Sequence, residues 1–173
     1  MNRKKILIIV GLAGAALLAA AFLLPIIDAE CYQTTPDNAK GYVASGMNLA
    51  QGWIVPDENA GLGGGTHHKT LPRNYIIFLA LPLLALLAAI CLFVKGMYVR
   101  LLGCLAGLGG IAFCITGYFD FSPPISNDYT WTWGPGYGLF IAVVGGIIII
   151  IFCGILAWLD WKREKQIEKE LES

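Results

Sequence analysis

Charged side chains are scarce in this chain of 173 residues. Asp, Glu, Lys and Arg together make up 14% of it, against roughly a quarter in ordinary soluble domains. The formal net charge is zero, so no bulk electrostatic attraction to nucleic acid is expected. Hydrophobic residues account for 57% of the chain. Both features follow if most of the chain faces lipid rather than water.

Histidine is almost missing, since His67 and His68 are the two histidines of the chain. Neither lies in an apolar stretch, which disfavours a haem ligated within a membrane. The pair stands in a glycine-rich segment near Asp57 and Glu58. A metal site there would need a third ligand at a typical spacing, and the sequence offers none. We therefore keep His67 and His68 only as weak metal-ligand candidates and predict no cofactor.

Paired cysteines and catalytic motifs are also lacking. Of five cysteines, Cys31 alone lies outside the apolar stretches, and no C-x-x-C occurs, which disfavours dithiol redox and zinc-ribbon chemistry. Gly136-x-Gly138 lacks the third glycine of a dinucleotide fingerprint, and we expect no strand before it. The absence of a nucleophile motif adds to this, and the chain is predicted not to be an enzyme.

Four long apolar stretches are what the sequence does contain, at residues 6–27, 75–94, 99–119 and 137–159. Each has about 20 residues, enough for a helix to cross a bilayer, and in lipid such a stretch must be helical. They predict an all-α membrane protein, a four-helix transmembrane bundle with a larger first outer segment. Lys95 and Arg100 bracket the turn between the second and third stretches. No Asp, Glu, Lys or His lies within the four, which disfavours a proton-coupled transporter.

The distribution of Lys and Arg predicts the orientation. Nine of the twelve lie before the first apolar stretch, around the turn between the second and third stretches, or after the fourth: Arg3, Lys4, Lys5, Lys95, Arg100, Lys162, Arg163, Lys165 and Lys169. The positive-inside rule then places residues 1–5, 95–98 and 160–173 in the cytoplasm, and 28–74 and 120–136 outside. A bacterial plasma membrane protein with both termini cytoplasmic is expected. A cleaved signal peptide is less favoured, because the first apolar run of 22 residues exceeds the usual 7–15.

The first outer segment, residues 28–74, leaves two alternatives open. Tyr42, Gly46, Leu49 and Trp53 recur at helical spacing, which favours a helix on the membrane surface. The alternation of the same stretch fits a strand equally well. Before it, Thr35-Pro36-Asp37 has the pattern of a helix start.

Small residues line the apolar stretches and allow helices to approach closely. The predicted contact residues, for packing within the chain or for binding another subunit, are Gly11, Ala15, Gly103, Gly107, Gly110, Gly145 and Gly146. Tryptophans mark the predicted membrane–water interfaces, with Trp131 and Trp133 on the outer side and Trp158 and Trp161 on the inner side.

Three stretches carry a resemblance to known proteins: "FLLPII" at 22–27, "SGMNLAQG" at 45–52 and "GPGYGLFIAVVGGIIII" at 134–150. They resemble a broad class of small four-span bacterial membrane proteins with no assigned activity, although Ile26 replaces a Trp often found after the first-span proline. The layout is also similar to that of claudins, but the paired cysteines and the W-x-x-W signature are missing. The class resemblance implies fold and location and supplies no catalytic residues.

Together these observations predict a non-enzymatic accessory or scaffold subunit of a larger membrane assembly. Its expected partners are the lipid bilayer and a membrane protein or a second copy of itself, with no nucleic acid. The alternative is a transport or channel component that lines a pore as an oligomer.

Overall fold

The computed structural model of the protein describes residues 3–33, 39–51, 53–56, 68–69, 79–119, 121 and 129–171. Within these residues the elements run in the order α1 (Arg3–Ala21), β1 (Pro25–Gln33), β2 (Ala39–Ser45), α2 (Gly46–Gln51), β3 (Trp53–Pro56), β4 (His68–Lys69), α3 (Ala80–Phe93), α4 (Met97–Phe119), β5 (Tyr129–Pro135) and α5 (Tyr137–Leu171).

Three helices, α1, α4 and α5, are long and apolar enough to cross a membrane. They are compatible with a multi-pass membrane protein. The fourth apolar helix, α3, has 14 described residues, or about 21 Å at 1.5 Å per residue. That is short of the ~30 Å hydrocarbon layer. Residues 75–78 of the predicted second span lie outside the described part of the chain.

The long helices pack side by side, and α5 contacts α1 and α4 most extensively, while α3 packs against α4 and α1. Leu18, Leu92 and Ile149 from three of these helices are fully buried between them. Large apolar side chains also cover the outer faces, such as Leu83 and Leu105, which are 66% and 62% exposed. Helices that are apolar on all sides suit a lipid environment better than water.

The described part of the chain is mostly helical, as predicted, but it is not all-α, because both predicted outer segments also contribute strands. One antiparallel sheet has the strand order β4–β3–β2–β1–β5. The first helix ends at Ala21 and β1 begins at Pro25, so the prediction of a helix as far as residue 27 is wrong. Proline disfavours helical geometry at the residue before it, so the chain leaves the helix here.

The side chains of β1 then alternate in their burial. Ile27, Ala29 and Cys31 are buried, whereas Asp28 is exposed and Glu30 is partly exposed. This period of two is the signature of a strand with one face on the core. The apolar character of Ile27 masked that alternation in the sequence.

The stretch from Tyr42 to Trp53, for which a helix and a strand were both open, contains both. It is a strand as far as Ser45, a helix from Gly46, and a strand again from Trp53. A reciprocal cap sets the first boundary. The N–H of Asn48 donates to Ser45 Oγ at 3.1 Å, and the N–H of Ser45 donates to Asn48 Oδ1 at 3.1 Å. Two backbone donors at the start of α2 are thereby satisfied, as in a capping box.

Other boundaries differ less from expectation. Helix α4 begins at Met97, two residues before the predicted span, while α5 begins at Tyr137 and continues through the predicted tail to Leu171. The predicted helix start at Thr35-Pro36-Asp37 lies outside the described residues.

Candidate functional site

A buried cluster of charged groups lies at the end of the helices that is opposite the sheet. We call this end of the helices the basic end, because Lys4, Lys95 and Arg100 all lie there. Arg100 is 3% exposed and sits in the first turn of α4. It lies on the same buried face of α4 as Gly103, three residues later, and Gly107, four residues after that. The prediction that Arg100 merely flanks the turn is therefore wrong, because Arg100 lies on the buried face of α4 and puts a charged group among the apolar helices.

Asp160 of α5 is the anion of this cluster and is 7% exposed. Its Oδ2 accepts the backbone N–H of Gly96 at 3.2 Å and lies 3.4 Å from Arg100 Nε. Its Oδ1 lies 3.5 Å from Lys4 Nζ. A single carboxylate thus contacts α1, α4 and the turn before α4, and it places negative charge beside a helix N-terminus.

Gly96 meets this carboxylate because of its backbone conformation. Its φ of 128° is in a region that side chains with a Cβ rarely adopt. The turn between α3 and α4 therefore directs the N–H of Gly96 at Asp160.

A second nitrogen of Arg100 binds the end of α3. Its Nη1 donates to the carbonyl oxygen of Cys91 at 2.9 Å and also to that of Leu92. Carbonyls in the last turn of a helix have no partner within the helix. The guanidinium group therefore caps α3 while it pairs with α5, and the cluster ties all four apolar helices together at the basic end.

Two signals in the sequence could have found this cluster. Arg100 continues the spacing of the glycines on α4, and Asp160 follows Cys153 and Leu156 at intervals of seven and four residues, on the buried face of α5. Both are charged residues in register with a small or apolar stripe. Both residues also stand at the end of an apolar stretch, so hydrophobicity alone does not reveal that register.

The seven predicted contact residues are all buried in this chain. The adjacent glycines of α5 serve different neighbours. A Cβ on Gly145 would lie 2.8 Å from the carbonyl oxygen of Gly14 in α1, and one on Gly146 would lie 2.9 Å from that of Gly107 in α4. Two helix backbones approach α5 on adjacent faces, which requires glycine in both positions.

The remaining small residues pack against larger side chains of neighbouring helices. Gly11 faces Leu92 of α3, and Gly110 faces Leu18 of α1. Gly103 lies between the side chains of Cys91 and Cys153. Ala15 is 5% exposed within the core.

Gly136 and Gly138 have a similar role at the other end, where the sheet meets the helices. The N–H of Gly136 donates to the carbonyl oxygen of Ile26 at 2.8 Å. A Cβ on Gly136 or Gly138 would lie 2.4 or 2.6 Å from the carbonyl oxygen of Pro25. Strand β5 does precede this motif, contrary to expectation, but the N–H of Gly136 is committed to backbone pairing. These glycines allow two chain segments to cross.

The outer face of the sheet carries a shallow pocket of 230 Å³ lined by Asp28, Glu30, Thr132, Trp133, Gly134 and Pro135. Glu30 and Thr132 are paired across β1 and β5. The hydroxyl of Tyr32 donates to Glu30, and this bond to an acid raises the pKa of Tyr32.

The four tryptophans predicted as interface anchors lie in two settings. Trp131 packs against the buried Tyr42, with ring centroids 5.1 Å apart, and Trp133 meets Phe121 edge to face at 5.8 Å. Trp158 and Trp161 lie on the outer surface of α5, where they are 54% and 40% exposed.

The weak metal candidates remain without support. His67 lies outside the described residues, and His68 pairs with Ile54 in the sheet. In the described part of the chain, no three His, Cys, Asp or Glu side chains are grouped to hold a metal ion.

No model of a known protein family matches the chain, and no curated protein matches it.

Proposed function

We propose that the chain is a non-enzymatic accessory or scaffold subunit of a larger membrane assembly, which it contacts through the outer sheet. In this proposal α1, α3, α4 and α5 form a four-helix transmembrane bundle in a bacterial plasma membrane. Both termini then lie in the cytoplasm, in accordance with the nine basic residues of the inner side.

The observation that carries the proposal is the joining of both outer segments into one sheet that is fixed to the helices. Strand β1 continues from α1 and pairs with β2 on one side and β5 on the other. Strand β5 runs directly into α5, and Gly136 holds it against Ile26 by a backbone hydrogen bond. A surface attached to two helices in this way keeps its shape, and a preorganised surface loses less entropy when it binds.

The charged groups within the helices favour a structural role as well. Arg100 and Asp160 are nearly inaccessible, and their hydrogen bonds go to the chain itself. Ionisable groups of transporters instead face a substrate or ion pathway. Here they hold helix ends together.

A site-directed cross-linking experiment tests the proposal. A photoactivatable residue is placed at Thr132, which is exposed on the polar face of the sheet, or at Ile151, which is 49% exposed in the middle of α5. In intact cells, Thr132 is expected to cross-link to one protein of defined mass that also co-purifies with the full chain in mild detergent. Ile151 is the matched control that should not reach this protein through the sheet.

Two results would contradict the scaffold function. One is a chain that elutes alone as a monomer and cross-links to nothing from Thr132. The other is solute flux through liposomes that contain the purified chain alone, which would indicate the pore alternative.

A further inference from the structure

An apolar groove lies between α4 and α5 at the basic end. It has a volume of 290 Å³ and is lined by Met97, Leu101, Gly154, Ala157, Trp158 and Trp161. Gly154 creates the room, because no atom apart from the adjacent backbone of its own helix lies within 4 Å of the place where its Cβ would be. This glycine differs from those of the helix contacts, which face another backbone or side chain closely.

On the α5 side of the groove, the type of side chain changes in a regular order along the helix. Gly154, Trp158, Trp161 and Lys165 follow one another at intervals of four, three and four residues, so they share one face of the helix. Along this face the surface changes from an apolar floor to amphipathic rings and then to a cation. The same order is found from the hydrocarbon to the headgroup level of a bilayer.

Two ammonium groups are held at the tryptophan end of the groove. Lys165 Nζ lies 4.8 Å from the ring centroid of Trp161, and Lys162 Nζ lies 5.5 Å from that of Trp158. Cation–π contacts of this kind orient flexible lysines. These contacts place two ammonium groups next to the groove.

We propose that this groove binds one anionic phospholipid of the surrounding bilayer. An acyl chain lies over Gly154 and Leu101, and the phosphate lies by Lys165 and Lys162. Charge complementarity selects the headgroup, because a basic residue at the surface of an anionic leaflet attracts its lipids. The inference depends on membrane insertion and is independent of any protein partner, so the cross-linking result at Thr132 can fail without affecting it.

Filling the groove tests the acyl site. The full chain is reconstituted in nanodiscs of phosphatidylcholine and phosphatidylglycerol at 4:1 and transferred to mild detergent, and retained lipid is counted by native mass spectrometry. The wild type is expected to keep one phosphatidylglycerol, and Gly154→Leu to lose it. Ala16→Leu is the matched control, because Ala16 is an exposed small residue on α1. It should keep the lipid.

Removing one charge tests the headgroup site. Lys165→Gln is expected to lower the preference for phosphatidylglycerol over phosphatidylcholine about fivefold. Arg163→Gln changes the net charge equally, but Arg163 is nine residues from Gly154, about two and a half turns, and so lies on the opposite face of α5. It should change the preference little.

A measurement on the wild type keeps the proposal testable if a variant fails to fold. Dibrominated phosphatidylglycerol at low mole fraction should quench tryptophan fluorescence more than the same fraction of dibrominated phosphatidylcholine. Equal quenching by both lipids, equal retention of both in the mass spectra, or full retention by Gly154→Leu and Lys165→Gln would each overturn the proposal.

Discussion

Arg100 Nε and Asp160 Oδ2 lie 3.4 Å apart although 60 residues separate them in the chain. Their side chains are 4% and 9% exposed. Each depends on the other, because a buried charge without its partner is strongly destabilising. The pair therefore fixes the register of α4 against α5 at the basic end.

Replacing Asp160 by Asn should lower the free energy of unfolding by about 3–5 kcal/mol, since Arg100 would stay buried without its anion. Lys4→Gln should cost at most about 1 kcal/mol, because Lys4 is 47% exposed. Both are measured by chemical unfolding in detergent micelles, followed by tryptophan fluorescence. Glu164→Gln, an exposed acid on the same helix, is the control. An Asp160→Asn variant as stable as that control would show that the pair contributes nothing.

Gly145→Ala should destabilise the helices by about 1–3 kcal/mol, because its methyl group would meet the backbone of α1 and a packed core tolerates added volume poorly. Gly154→Ala adds the same methyl group to the same helix, where no atom lies within 4 Å. It should be neutral or slightly stabilising. The midpoints of thermal unfolding of the two variants are compared. Equal midpoints would contradict the close contact of Gly145 with α1.

Gly136→Ala should disturb the junction of the sheet with the helices, because the new methyl group would lie 2.4 Å from the carbonyl oxygen of Pro25. Gly134→Ala, two residues earlier in β5, meets no atom within 4 Å and serves as control. Hydrogen exchange should show loss of amide protection in β1 and β5 only for Gly136→Ala. Equal protection in both variants would argue against a close crossing at Gly136.

Burial raises the pKa of the Cys31 thiol above its ordinary 9.0, partly offset by Lys40. The folded chain then holds the proton longer than the unfolded chain as the pH rises. Stabilisation by the neutral thiol is complete below pH 9 and declines above it. Cys31→Ala should flatten that decline in unfolding measurements between about pH 8 and 11.

The rate of alkylation provides an independent readout, since the thiolate is the reactive form. Peptide mapping after iodoacetamide treatment at neutral pH should find Cys31 modified much more slowly in the folded chain than in denaturant. Equal rates would mean that the thiol is accessible and unshifted.

Helix positions were predictable where an apolar run and a helix begin at the same residue. An uninterrupted apolar run predicted α5 from Tyr137, but it carried the first helix six residues too far, past Ala21. Apolar residues extend into a strand as readily as into a helix when one face is buried, so hydrophobicity alone did not place the end. Pro25 and the alternation after it were the better guides.

The sheet and the charge cluster were harder to predict for a different reason. Strand β5 pairs with β1 across about a hundred residues, and no local pattern indicates such a partner. Arg100 and Asp160 each stand at the edge of an apolar run, where a charge ordinarily faces water. Only their position on buried faces distinguishes them.

The sequence by itself determined that the chain has long apolar helices and where its basic residues concentrate, because both depend on composition along short segments. It also supplied glycines where helices meet. Tertiary structure alone decided which helix each glycine meets, that Arg100 turns inward to Asp160, and that the two predicted outer segments form one sheet. Those outcomes depend on contacts between distant segments, whose free energies exist only once the chain has folded.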